Sequence, residues 1–375
     1  LTLAYALAGA DCIDVAADPA VIGVAQDALR IAAALLESDL ANWDWGRQVE
    51  GLPWLMVSLN DGEDPHFRKA EFDASVCPAN CLRPCETICP AQAIVFGQSD
   101  GLSESFSGVV DSICYGCGRC VPVCPIQNIS TRAYVSTPAA IAPLVLTGVD
   151  AVEIHTQVSR LEDFSRLWQA IQPQVDQLKL VAISCPDGAE LIDYLWALYD
   201  LISPLPCPLI WQTDGRPMSG DIGDGATRAA VRLGQKVLAA GLPGYVQLAG
   251  GTNRHTVPKL RALGLTKHTS QISHLSTQPT NYIAGVAYGS YARSILAPIL
   301  AALEPSAELP AELPAKAMQS DFSIQTSALN SPLLRLEQAP DLLWQAINQA
   351  RLLVSQIKFP ESLSFEDSLS EATNQ

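Results

Sequence analysis

The chain has 375 residues, 48% hydrophobic and 17% charged, which is enough apolar material for a large core and for two or three domains. A net charge of −16, with no Lys/Arg run longer than two, argues against nucleic acid and against anionic membrane surfaces, since neither attracts an acidic protein. No uninterrupted apolar run of about 18 residues occurs, so no membrane span is expected, and no segment reads as a signal peptide.

In chain order, residues 1–9 (LTLAYALAG) predict the end of a helix closed by Gly9. Residues 11–16 predict a strand, 19–40 an Ala/Leu-rich helix, and 53–59 (PWLMVSL) a second strand. Periodicity then stops over 60–135, where Cys, Gly, Pro and Ser concentrate. Beyond it, helices near 137–147, 160–175, 188–202, 222–240 and 254–263 alternate with strands at 151–156, 178–185, 208–213, 244–250 and 282–289, and a last helix covers 290–303. Residues 304–332, rich in Pro, Ala, Ser and Glu, read as a linker. Residues 333–358 have helical apolar spacing broken near Pro340; this helix either packs back or docks a partner. The acidic tail 359–375 reads as disordered.

Short strands, apolar throughout and each followed by a helix, predict a parallel sheet. The sequence opens on Leu1 inside a helix, so a first strand is expected to be missing before it. The expected fold is therefore a (β/α)8 TIM-like barrel built from 1–59 and 136–303, with 60–135 inserted as a ferredoxin-like 2[4Fe–4S] domain. An open doubly wound sheet is the alternative.

Eight of the eleven cysteines lie in two runs: Cys77, Cys81, Cys85 and Cys89 before Pro90, and Cys114, Cys117, Cys120 and Cys124 before Pro125. The second run has the C-x2-C-x2-C-x3-C-P spacing of iron–sulfur proteins, in which three thiolates come from one loop and the fourth from the other run. Crossed pairing assigns Cys114, Cys117, Cys120 and Cys89 to one [4Fe–4S] cluster and Cys77, Cys81, Cys85 and Cys124 to another. The first run is spaced x3-x3-x3, so its cluster is either [4Fe–4S] or [3Fe–4S], and the more labile of the two. Zinc, the competing metal, favours paired C-x2-C knuckles, which are not seen here. Metal-ligating thiolates point to a reducing cytoplasm. Cys12, Cys185 and Cys207 stand apart in apolar strand contexts and read as buried free thiols.

On the expected catalytic face, Gly250, Gly251 and Thr252 follow one strand and Gly289 and Ser290 another. Both turns lead into helix N-termini and suit a phosphate, such as that of FMN, or else simply close tight turns. Gln212, Asp214, Arg216 and Asp221 lie in a polar glycine-rich loop, which either binds a ligand or is plain surface. His155, two residues after Glu153, is either an acid/base or a structural histidine. Cys185 is either reactive or inert. His66, His255, His268 and His274 form no motif, and no P-loop, GxGxxG, HExxH or Ser–His–Asp signature occurs.

The stretch AYALAGADCIDVAADPAVI, the two cysteine runs, WQTDGRPMSGDIGDGAT and QLAGGTNRHTVPKL together resemble the cyanobacterial light-dependent period A family. The resemblance implies a cytoplasmic iron–sulfur protein on the input side of the circadian clock. Such a protein senses redox state, which tracks light, and adjusts the period through the KaiA protein and its associated sensor kinases. It also implies that the eight cysteines are cluster ligands. The residues alone leave open a flavoenzyme fed by the clusters, or a plain carrier served by a ferredoxin or quinone-linked electron donor.

Overall fold

The computed structural model describes residues 1–37, 51–62, 68–98, 106–133, 138–215, 225–266, 281–303 and 334–358. The expected linker and acidic tail, together with Arg216, Asp221, His66, His268 and His274, lie outside the described residues.

The chain begins with α1 (Thr2–Leu7), β1 (Cys12–Ala16), α2 (Pro19–Glu37) and β2 (Trp54–Asn60). The cysteine-bearing stretch follows, with β3 (Arg68–Glu71), α3 (Pro84–Thr87), β4 (Ile94–Gln98), β5 (Phe106–Val109), α4 (Cys120–Val123) and β6 (Ser130–Ala133). Alternation then resumes with α5 (Pro138–Val145), β7 (Ala151–His155), α6 (Leu161–Ile171), β8 (Leu180–Pro186), α7 (Leu191–Ile202), β9 (Leu209–Asp214) and α8 (Thr227–Ala239). It closes with β10 (Tyr245–Ala249), α9 (Thr256–Ala262), β11 (Ile283–Val286), α10 (Ser290–Ala301) and α11 (Pro340–Lys358). Two compact units result: Leu1–Asp64, Ser136–Ala297 and Gln345–Gln375 form one, and Pro65–Val135 with Pro298–Trp344 the other.

The first unit is a seven-stranded parallel sheet in the order β1-β2-β7-β8-β9-β10-β11. Alternation along each strand sends one row of side chains toward the helices: Leu55, Val57, Val152, Ile154, Val181, Ile183, Trp211 and Leu248 belong to that core. Each helix answers with one apolar stripe. In α6 the stripe is Phe164, Leu167, Trp168 and Ile171, at i, i+3, i+4 and i+7, all buried. Gly215, just past β9, has its missing Cβ 2.3 Å from the backbone of Ala230 in α8, so no side chain is possible where that turn meets the helix. By length and composition α2 is long and apolar enough to cross a membrane, against the sequence-based expectation. Ile22 and Ala25 on it nevertheless join the sheet core, and Gln26, Asp27 and Arg30 break its apolar surface.

The expected barrel is not there. Among the described residues β1 pairs only with β2 and β11 only with β10, no eighth strand is present, and the sheet stays open. The doubly wound alternative fails as well, because strand order follows chain order without reversal. Crossovers of one hand in that order keep the helix core on one face. The ferredoxin-like insertion falls with the barrel. The compact unit that carries the cysteines is not 60–135 alone; it takes in Pro298–Trp344.

Within that second unit, β3 pairs antiparallel with β6 and β4 with β5, as two separate two-stranded sheets. Its buried core is Ala70, Cys85, Ala93, Ile94, Cys114, Cys120 and Ile129. Lys69 is also buried there, its Nζ donating to the Asp111 carbonyl on the approach to Cys114.

Candidate functional site

The two cysteine runs are local copies of each other. Each third cysteine, Cys85 or Cys120, sits in a four-residue helix, α3 or α4. Each fourth cysteine then opens the same tight turn. Gln92 N–H donates to the Cys89 carbonyl and Gln127 N–H to the Cys124 carbonyl, both at 3.1 Å, with Gln92 and Gln127 left-handed at φ 54° and 53°. One residue on, Ala93 N–H donates to Cys89 Sγ and Asn128 N–H to Cys124 Sγ, both at 3.2 Å. Backbone donors are thus aimed at sulfur in both halves. Gly118, at φ 73°, lets the second run turn between Cys117 and Cys120 in a conformation a side chain would resist.

The sulfurs gather into two crossed groups. Cys89 joins Cys114, Cys117 and Cys120 around one small cavity, whose wall includes Tyr115, Gly116 and Arg119. In the other group, Cys81 and Cys124 act electrostatically on Cys85, and Asn128 ties Cys77 to Cys124 through its side-chain Nδ2, 3.6 Å from Cys77 Sγ. Burial, with neighbouring cysteines adding to it, pushes the Cys85 and Cys120 thiols up to about 11. Cys117 is also shifted up, burial again coming first. Thiols held this way become thiolates only when metal charge compensates them. Among the described residues, no three Cys, His, Asp or Glu side chains converge on a position for a single ion. Sulfurs surrounding a cavity suit a cluster, in which each binds a different iron; sulfurs converging on a point would suit zinc. The donor set therefore fits iron–sulfur clusters.

The sheet carries a second polar feature, on the face turned away from the helix core. Toward the strands' N-terminal ends that face is apolar, with Met56, Ala151, Leu180 and Ala182. Toward the C-terminal ends a hydrogen-bonded row crosses six strands, from β1 to β10. Ser58 Oγ lies 2.6 Å from the Asp14 carboxylate and 3.3 Å from Glu153 Oε2. Gln212 Nε2 donates to Glu153 Oε1, and Gln247 Nε2 donates to Gln212 Oε1 at 2.8 Å. His155 Nε2 lies 3.2 Å from Glu153 Oε1. Glu153 is 2% exposed, and burial, with Asp214 adding, pushes its carboxyl up to about 7 against the hydrogen bonds from Ser58, Ser184 and Asp14. Asp14 is also shifted up, by loss of water and then by Glu153. Asp14 lies on the edge strand and is exposed, whereas Glu153 is enclosed. The sequence pointed to Glu153, His155 and Gln212, but not to Asp14, Ser58 or Gln247. Apart from β7, which has both Glu153 and His155, each strand contributes only one such residue, and only the register brings them into line.

The two turns singled out for a phosphate do meet. Thr252 Oγ1 donates to the Ala287 carbonyl at 2.6 Å, joining the turn of Gly250 and Gly251 to the one leading to Gly289 and Ser290. That spends the Thr252 hydroxyl internally, while Ser290 Oγ accepts from Arg293 at 3.2 Å. Asn253 Oδ1 takes the Thr227 hydroxyl and the His255 N–H, so this loop is held by its own bonds. Asp61, beside the same strand ends, is buried with Arg160 at 3.1 Å and the Thr156 hydroxyl at 2.6 Å. Cys185 is buried, and its thiol is pushed up to about 12 by that burial, then by Asp61, which describes an inert group. A cavity of about 520 Å³ lies at the N-terminal ends of β9 and β10, lined by Tyr199, Tyr245 and a run of prolines.

Residues 77–135 match the light-dependent period A iron–sulfur cluster-binding domain, and residues 144–356 match the light-dependent period A C-terminal domain. A curated protein of Synechococcus elongatus, described as light dependent period A, is 47% identical over 304 residues, covering 81% of this chain and 78% of its own. No solved structure matches. The chain belongs to the light-dependent period A family, and its cysteine unit carries that family's iron–sulfur cluster-binding domain.

Proposed function

We propose that this protein is a cytoplasmic redox sensor that reports cellular redox state, and through it light, to the circadian clock. The observation that carries this is the crossed grouping of the eight cysteines. Cys89, Cys114, Cys117 and Cys120 hold one [4Fe–4S] cluster. Cys77, Cys81, Cys85 and Cys124 hold a second, of four-iron or three-iron type. When bound, such clusters supply reversible one-electron chemistry. The chain's own residues orient the sulfurs and direct backbone N–H groups at them from Ala93 and Asn128. FMN at the turns of Gly250 and Gly289 rests on those turns alone, and reconstitution with FMN tests it: bound flavin absorbance would favour the flavoenzyme.

The sensor has partners, for which the KaiA protein and its associated kinases are the candidates, and their affinity depends on cluster redox state. Anaerobic purification with iron and sulfide analysis should find about eight of each per chain, or about seven iron with a three-iron form. Zinc in their place defeats the cluster assignment. Equal partner affinity for oxidised and reduced protein defeats the sensor while leaving the clusters standing.

A further inference from the structure

Each cysteine run places an arginine two residues after its second cysteine: Arg83 after Cys81, and Arg119 after Cys117. Each arginine is the N-cap of the short helix that follows. Arg83 N–H donates to Cys81 Sγ at 3.4 Å, and Arg119 makes the corresponding backbone hydrogen bond to Cys117. From there the two diverge.

The first run has an extra residue, Pro84, between its arginine and its third cysteine. A residue before proline is disfavoured in the right-handed helical region. Arg83 lies outside that region, in the left-handed one at φ 52°, ψ 51°, whereas Arg119 sits at φ −59°, ψ −30°. The side chains part company with the backbones. The Arg83 guanidinium is stacked 4.2 Å from the centre of the Phe96 ring, which packs on Phe72. Arg83 is exposed. Arg119 is half-buried and forms part of the wall of the cavity shared by Cys89, Cys114, Cys117 and Cys120. Its charge acts on the Cys117 sulfur.

Reduction adds one electron to a cluster and makes it, with its four thiolates, one unit more negative; no bond forms or breaks and no proton moves. A permanent cation beside the cluster favours that state, and one in a half-buried wall is screened less than one in open solvent. Arginine stays charged at every accessible pH. We propose that Arg119 sets the order of reduction: the cluster of Cys89, Cys114, Cys117 and Cys120 takes the first electron from a low-potential one-electron donor. Arg83, held on Phe96, leaves the other cluster at a lower potential. This rests on the two-cluster assignment above. It makes the Arg119 cluster the one whose potential sets the sensor's threshold.

The test is an EPR-monitored redox titration of the full chain, anaerobic, with dithionite as donor. Cys81→Ser perturbs one set only and so labels the signals. In the wild type the signal left intact by Cys81→Ser should appear first. Arg119→Gln should move that midpoint to more negative values and leave the other in place. Arg119→Lys should keep it near wild type, and Arg83→Gln should leave the order unchanged. Wild-type reduction in the opposite order overturns the proposal, even if Arg119→Gln loses iron. So does Arg119→Gln with both signals intact and no shift. One cluster or none in the wild type overturns the two-cluster assignment instead, and the two failures are distinct.

Discussion

The two units are held together by different means. In the sheet unit one apolar cluster joins the helices to a face of the strands, from Ile22 to Ile283, with Phe164, Leu198 and Trp211 at 0–1% exposure. The cysteine unit has no such reserve. Of its seven buried core residues three are cysteines, Cys85, Cys114 and Cys120, and two are alanines. Fully burying a large aliphatic or aromatic side chain contributes about 1.5–3 kcal/mol. The sheet unit has many of these, and among the described residues the core packed around the cysteines has only Ile94 and Ile129. A unit this poor in apolar burial draws its stability from ligation. Loss of metal should therefore unfold the cysteine stretch and leave the sheet intact.

The most severe way to break this comparison is to remove the metal. Chelation under anaerobic, reducing conditions should abolish hydrogen-exchange protection across residues 68–133 and leave the amides of β7, β8 and β9 protected. Cys85→Ser with Cys120→Ser should do the same. Protection retained in the cysteine unit without iron would mean that its small core suffices after all. The converse experiment strikes the sheet. Trp211 is 1% exposed, and its indole N–H donates to the Pro243 carbonyl at 2.8 Å. Trp211→Ala should cost about 3–5 kcal/mol in urea unfolding of the sheet, with iron content per folded chain unchanged. Iron lost in proportion to sheet stability would join the two units into one cooperative body.

A finer division lies within the cysteine unit. On exposure to air the signal of the Cys77, Cys81, Cys85 and Cys124 set should bleach first, because its loop is longer and holds Arg83 in a left-handed conformation worth about 1–2 kcal/mol of strain. Timed iron release with EPR checks the order, and equal loss from both sets would remove the asymmetry.

The sequence made some of this legible and hid the rest for identifiable reasons. The crossed cysteine groups followed from spacing, because a short loop leaves the sulfurs few places to point. The seven strands followed from short apolar runs such as PWLMVSL and LKLVAISC. Closure did not follow. A barrel and an open sheet use the same β/α alternation, and what separates them is whether β1 and β11 pair, which no local pattern records. The left-handed Arg83 hangs on one inserted residue, Pro84, whose effect depends on where Cys81 and Cys85 must both reach. The row from Asp14 to Gln247 depends on register, and a lone polar residue in an apolar strand gives no sign of its neighbours.

That row gives the smallest expected effect, and it tests the claim that the sheet's stability is apolar and independent of iron. Burial raises Glu153 from 4.5 to about 7, and the groups facing it are Asp14, Ser58, Ser184, Gln212, His155 and Asp214. A carboxyl raised on folding binds its proton more tightly in the native state. Its contribution is therefore complete below pH 4.5 and is lost as pH rises through about 7. Glu153→Gln keeps an oxygen to accept from Gln212 and Ser58 and has an N–H to offer Asp14, with no charge to desolvate. Urea unfolding of the sheet should show similar stability for variant and wild type near pH 4.5, where Glu153 is largely protonated in the native state. The variant should then lead by on the order of 2 kcal/mol at pH 8, with the same difference in iron-loaded and iron-free protein. A gap that vanished on iron removal would show that the carboxyl row feels the cysteine unit, and the separation of the two would fail at its weakest point.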